Sequence, residues 1–154
     1  MLPSDRFRRQ HDELRDLALE IDAALRAPAF PGNAREVRRM MARFKGKLVV
    51  HSSMENEALY PRLLEHSDPA VRTLARELFD ELGGIYDAFA AHHGRWSSVE
   101  LIEADPDAYV HHTLEVFDLL KLRMHRENGE LYPLADREGS EPPVAGASLS
   151  PATR

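Results

Sequence analysis

The stretch HSSMENEALYP, residues 51–61, returns in altered form as RMHRENGELYP, residues 123–133. Laid over each other at an offset of 72 positions, Glu55 falls on Glu127, Asn56 on Asn128, Leu59 on Leu131, Tyr60 on Tyr132 and Pro61 on Pro133. His51, however, falls on Arg123. Within each copy the first residue and the glutamate are four apart, so they share one face of a helix. Two related helices therefore carry a carboxylate on a stripe that is otherwise apolar. One backs it with an imidazole and the other with a guanidinium.

Outward from these copies, apolar residues at alternating spacings of four and three predict four long helices. The first covers residues 4–27 on the stripe Phe7, His11, Leu14, Ala18, Ile21 and Leu25. PAFPGN ends it, and Asn33 is the expected N-cap of a second helix over 34–65. The stripe of that helix is Val37, Met41, Phe44, Leu48, His51, Glu55 and Leu59, with a kink expected near residue 57 because Pro61 lacks an N–H. The third helix covers 69–96 on Val71, Ala75, Leu78, Leu82, Ile85, Phe89, His92 and Trp96; its Gly83–Gly84 pair would admit a neighbouring backbone or bulky side chain. A linker over 97–104 and a cap at Asp105 precede the fourth, which runs to residue 137 through Val110, Thr113, Phe117, Leu120, Met124, Glu127, Leu131 and Leu134. The fold class is all-α, an up-down-up-down four-helix bundle over residues 1–137. Residues 138–154 are small, polar and proline-rich and are expected to be a disordered tail.

The composition narrows the function. Hydrophobic residues make up 43 % and charged residues 30 %, enough for a core beneath a solvated surface. A net charge of −6 argues against nucleic acid and anionic membranes as partners. With no cysteine, disulfides, thiolate metal sites and a cysteine nucleophile are excluded. No apolar run reads as a secretory signal or a membrane span, so a cytoplasmic location is expected. The eight histidines are the unusual feature.

His11, His51, Glu55 and Glu127 occupy positions where hydrophobes belong. A buried carboxylate without a partner is strongly unfavourable, so two of them call for a cation or a proton. A helical rise of about 1.5 Å per residue puts His11 at roughly 9 Å along the first helix, His51 near 8 Å and Glu55 near 2 Å on the second. Arg123 and Glu127 fall within a few ångströms of the same base level, so all five share one slab. Inward imidazoles and carboxylates from facing helices are how bundles hold metals, and this donor set suits iron, zinc or manganese. The bland readings stand beside this one: His11 as a core histidine, His51–Glu55 as a local pair, Arg123–Glu127 as a surface ion pair. His92, His93, His111 and His112 share a level at the far end but lack a carboxylate on the stripes, and read as surface or capping groups.

QHDEL at 10–14, HSSMENEALYP and RENGELYP resemble the hemerythrin-like HHE cation-binding family, over residues 4–137. The resemblance implies a metal centre in which two irons share two bridging carboxylates. His11 and His51 match the imidazoles of one iron, and Glu55 and Glu127 match the bridges. Leu82, Tyr86 and Arg123 stand where the other iron's histidines would be, so the chain looks like a divergent member lacking part of the ligand set. Arg123 is then the expected substitute for a metal, its forked donors satisfying both carboxylates, with Tyr86 beside the centre. His125 points away.

Two functional expectations follow. One is a metal-binding protein with iron at a reduced or mononuclear site, in oxygen or iron sensing or storage, with an oxygen species as small ligand. The other is a metal-free bundle acting as an interaction module or homodimer. No nucleophile–base–orienter set and no phosphate loop mark the chain as an enzyme.

Overall fold

The computed structural model describes residues 2–140. Most of those residues are helical, with no strand among them. Helix α1 is Asp5–Arg26, α2 is Ala34–Ala58, α3 is Tyr60–Leu64 and α4 is Pro69–Arg95. Helix α5 is Val99–Ala104, α6 is Pro106–Arg126, and after a single π-helical turn, Glu127–Leu131, α7 is Tyr132–Ser140. Residues 141–154, most of the expected tail, lie outside the described residues. No described helix is long and apolar enough to cross a membrane.

The capping chemistry explains most boundaries. Asp68 accepts from the Ala70 N–H ahead of Pro69, and Asp105 accepts from Ala108 ahead of Pro106, so each proline falls where a helix needs no donor. Ser98 caps a short helix, Val99–Ala104, in what the sequence pattern read as linker; six residues are too few to show a stripe. Asn33 stands at the start of α2 without capping it. Its Nδ2 donates instead to the Ala24 carbonyl at 3.0 Å, tying the end of α1 to α2.

The repeated Tyr-Pro breaks its helix in both copies, because a proline removes the donor to the carbonyl four residues back. In the first copy α2 stops at Ala58, Leu59 leaves the helical path at φ −115°, and α3 restarts at Tyr60. In the second copy, read from the pattern as unbroken, the widened turn Glu127–Leu131 absorbs the defect ahead of Pro133.

Contacts give the packing. Gln10 meets Met54 while Glu13 meets Lys47, so α1 and α2 run antiparallel. Glu77 and Glu81 meet Arg126 while His92 meets Thr113, so α4 and α6 do too. The core is two apolar clusters. One holds Phe7, Leu59, Leu63, Val71, Ala75, Leu78 and Leu131; the other holds Leu14, Ile21, Phe44, Leu48, Ile85, Phe89, Phe117 and Met124. Truncating a wholly buried leucine such as Leu14 to alanine in such a core costs about 2–5 kcal/mol. On α1, on α2 and in the turn after α6 the residues between the clusters are those that broke the apolar pattern: His11, then His51 and Glu55, then Glu127. Leu82, buried on α4, belongs to neither cluster and lies at the same interval.

Gly83 and Gly84 behave differently from expectation. A Cβ built on either meets nothing within 4 Å, so no neighbouring chain presses on them. Gly84 instead lines an open groove with Ile85, Leu119, Leu122 and Arg123.

Candidate metal centre

Four ligand atoms, one each from His11, His51, Glu55 and Glu127, lie within 4.8 Å of one another, and all four side chains are buried. His11 Nε2 is 3.0 Å from His51 Nε2 and 3.1 Å from Glu127 Oε1; His51 Nε2 is 3.3 Å from Glu55 Oε2. Among the described residues no other set of three or more such side chains gathers this closely.

The outer ring nitrogens are both taken. His11 Nδ1 lies 2.9 Å from the Asn128 amide oxygen, and His51 Nδ1 lies 2.6 Å from that of Gln10. An amide oxygen only accepts, so each Nδ1 carries the proton. A neutral imidazole then has a bare lone pair on Nε2, and both lone pairs point into the same small volume. Something positive has to lie between them, a proton or a cation. For a four-coordinate cation with bonds of about 2.0–2.1 Å, neighbouring ligand atoms are about 3.3 Å apart. The three contacts of 3.0–3.3 Å match that spacing, while the group as a whole spans up to 4.8 Å, so the remaining donors would have to close around such an ion.

The carboxylates have partners of their own. Tyr132 donates to Glu55 Oε2 at 2.5 Å and also lies 3.0 Å from His11 Nε2. Tyr60 donates to Glu127 Oε2 at 2.9 Å and accepts from Arg123 Nη2 at 2.7 Å. The Arg123 guanidinium is buried, donating also to Glu127 at 3.3 Å and to the Leu78 carbonyl. It reaches one carboxylate, not the expected two, because the fork's second edge is spent on Leu78; Tyr132 serves Glu55 instead. The side chain of Tyr86 is half-buried on α4 and makes no hydrogen bond among the described residues; the tyrosines bonded to the centre are Tyr60 and Tyr132. The phenolic partners were legible only as repeat positions; their i+5 spacing from the glutamates crosses a helix break and hides the contact.

These environments separate the two acids. Burial and then repulsion from Glu127 push the Glu55 carboxyl above the usual range. Burial pushes Glu127 upward too, but a proton on His11 Nε2, donated to Glu127, and the Arg123 charge outweigh it and hold Glu127 below that range. Burial and the Glu127 charge raise both Tyr60 and Tyr132, so the phenols stay protonated donors.

The repeat organises this layer. Phe7 stacks on Tyr132 with ring centroids 5.9 Å apart, and Phe79, 72 positions on, packs edge-on against Tyr60 at 5.5 Å. The symmetry then fails at one place. Asn128 holds His11, whereas the position 72 after His11 is Gly83, and the Oδ1 of Asn56, the counterpart of Asn128, is buried without a partner. A second cation has no comparable donors: Leu82 is apolar, and Arg123 brings its own positive charge.

At the far end His92 is buried and bonded to Thr113 Oγ1 at 2.8 Å, and His112 accepts from the Trp96 indole at 2.9 Å. His93, His111 and His125 are exposed.

An all-α bundle with a buried histidine–glutamate group able to hold a metal defines a class of cation-binding proteins. The family model described as the Hemerythrin HHE cation binding domain matches residues 2–135, and the chain belongs to that family. No curated protein and no solved structure gave a significant match.

Proposed function

We propose that the chain holds a single divalent cation at His11, His51, Glu55 and Glu127, with iron as the first assignment and zinc or manganese as alternatives. The observation that carries this reading is the pair of Nε2 lone pairs 3.0 Å apart, each ring locked by an amide on its other side. Two carboxylates and one arginine leave a charge of −1 for the ion to offset. A bound redox-active cation would supply electron exchange with a small oxygen species, the chemistry of an oxygen or iron sensor or store in the cytoplasm. The protein's own part is orientation and exclusion of water. Gln10 and Asn128 fix the imidazoles, Tyr132 holds Glu55, Tyr60 and Arg123 hold Glu127, and apolar clusters close both ends.

A second reading has an observation of its own. The only buried side-chain polar atoms without a partner among the described residues are Asn33 Oδ1 and Asn56 Oδ1, so every polar atom of the centre is satisfied with no ion present. In that reading one proton bridges the imidazoles, Arg123 replaces the metal, and the bundle is an interaction or homodimerisation module.

Metal content by inductively coupled plasma mass spectrometry, on untagged protein beside Glu55→Ala, separates them. About one equivalent, lost in the variant, is the expected result. Absence of metal even after reconstitution would leave the second reading, and two equivalents would remove Arg123 from the place assigned to it.

A further inference from the structure

About 15 Å along α4 from the level of Leu82, a separate groove lies between α2 and α4. It has a volume of about 290 Å³. Its cationic wall is Arg35, Arg38, Arg39 and Lys45; its apolar side includes Phe89 and Trp96. No carboxylate lines it. On a chain of net charge −6 that is a local reversal of sign. The four cations fall within eleven residues of one helix, so they are held along about 15 Å of a single face.

Their present bonds leave much of this charge unspent. Arg39 pairs with Glu36, and Arg38 donates to the Ser97 carbonyl, a neutral acceptor. The side chains of Arg35 and Lys45 have no hydrogen-bond or ion-pair partner among the described residues. Arg35 stands in the first turn of α2, where the helix adds its own positive end. Cations that merely solubilise a surface do not need a concave apolar wall opposite them. Here Met41 is half-buried, and Phe89 and Trp96 are buried but still border the opening.

We propose that this groove binds a small organic phosphate, its phosphate held by Arg35, Arg38 and Lys45 and its apolar body laid against Met41, Phe89 and Trp96. Guanidinium forks match the oxygens of a phosphate, and a dianion needs more than one cation. The volume suits a small molecule at the lower end of ligand-pocket sizes. The overall negative charge repels a polyanion, so nucleic acid is not the occupant. The assignment is independent of whether the histidine–glutamate centre carries metal.

Trp96 is the chain's sole tryptophan and borders this groove, so its fluorescence reports on binding there. The full chain is titrated with phenyl phosphate, and in parallel with inorganic phosphate, benzyl alcohol and benzoate. The same series is run on the double variant Arg35→Gln/Lys45→Gln, both exposed positions, with circular dichroism to check that the fold is retained. The expected result is a saturable change with phenyl phosphate that weakens about tenfold or more in the double variant. Phosphate alone and benzyl alcohol alone bind more weakly by about the same factor. No saturable change, or equal affinity in the variant, would overturn the site. Equal affinity for benzoate would overturn the phosphate assignment, and equal affinity for inorganic phosphate would overturn the apolar subsite.

Discussion

The Tyr132 hydroxyl donates to Glu55 across 77 positions of sequence at 2.5 Å, and its repeat counterpart, Tyr60, donates in the opposite sense to Glu127. Each copy of the motif thus supplies the phenol that holds the other copy's carboxylate. Tyr132→Phe keeps the ring on Phe7 and removes only the hydroxyl. It should destabilise the metal-free protein by about 1–3 kcal/mol, since Glu55 and His11 both lose a buried partner. Urea unfolding of wild type and variant checks this; an unchanged midpoint would show that the hydroxyl contact is not formed.

Arg123→Met leaves Glu127 buried with its cation removed. A loss of about 3–5 kcal/mol is expected, much of it recovered when Glu127→Gln is added. The double-mutant cycle in denaturant tests the pairing, and simple additivity would mean that the guanidinium acts through packing alone.

Gln10→Ala and Asn128→Ala each free an imidazole Nδ1 without touching a donor of the proposed cation. Both should weaken metal binding by about 10–100-fold, the usual consequence of losing a group that orients a ligating histidine. Competition with a chromophoric chelator measures this. Full affinity in both variants would show that the rings need no orienting partner.

Burial, then the neighbouring His112 and His93, lowers His92 to about 4, against an ordinary value of 6.5. Tyr109 and Thr113 of α6 also face it, and Arg35, Arg38, Arg39 and Lys45 of α2 share its groove. The unfolded chain therefore binds the extra proton first as pH falls. The stability contributed by neutral His92 is complete above pH 6.5 and is lost progressively toward pH 4, by roughly 2–3 kcal/mol. His92→Gln should flatten that part of the curve of unfolding free energy against pH; an identical slope would assign the loss to other groups.

Gly83→Ala and Gly84→Ala should each stabilise the protein by about 0.5–1 kcal/mol. Both glycines lie inside α4, and an added Cβ meets nothing within 4 Å. A lowered melting temperature would reveal an approach to this face by another chain.

Much of this protein was already determined by its sequence. Apolar spacings of four and three specified the long helices because only side chains one turn apart share a face. The repeat at 72 positions and the pattern-breaking His11, His51, Glu55, Arg123 and Glu127 marked the polar layer, because a charge on a buried stripe must be answered by another. What the tertiary structure decided was which group answers which. Arg123 turns to Glu127, Tyr60 and the Leu78 carbonyl, leaving Glu55 to Tyr132, because hydrogen bonds depend on distances of a few tenths of an ångström between elements far apart in sequence. The amides that lock the two imidazoles are contacts between helices, as is the groove between α2 and α4. Spacing along a single helix carries no information about what the neighbouring helix brings opposite.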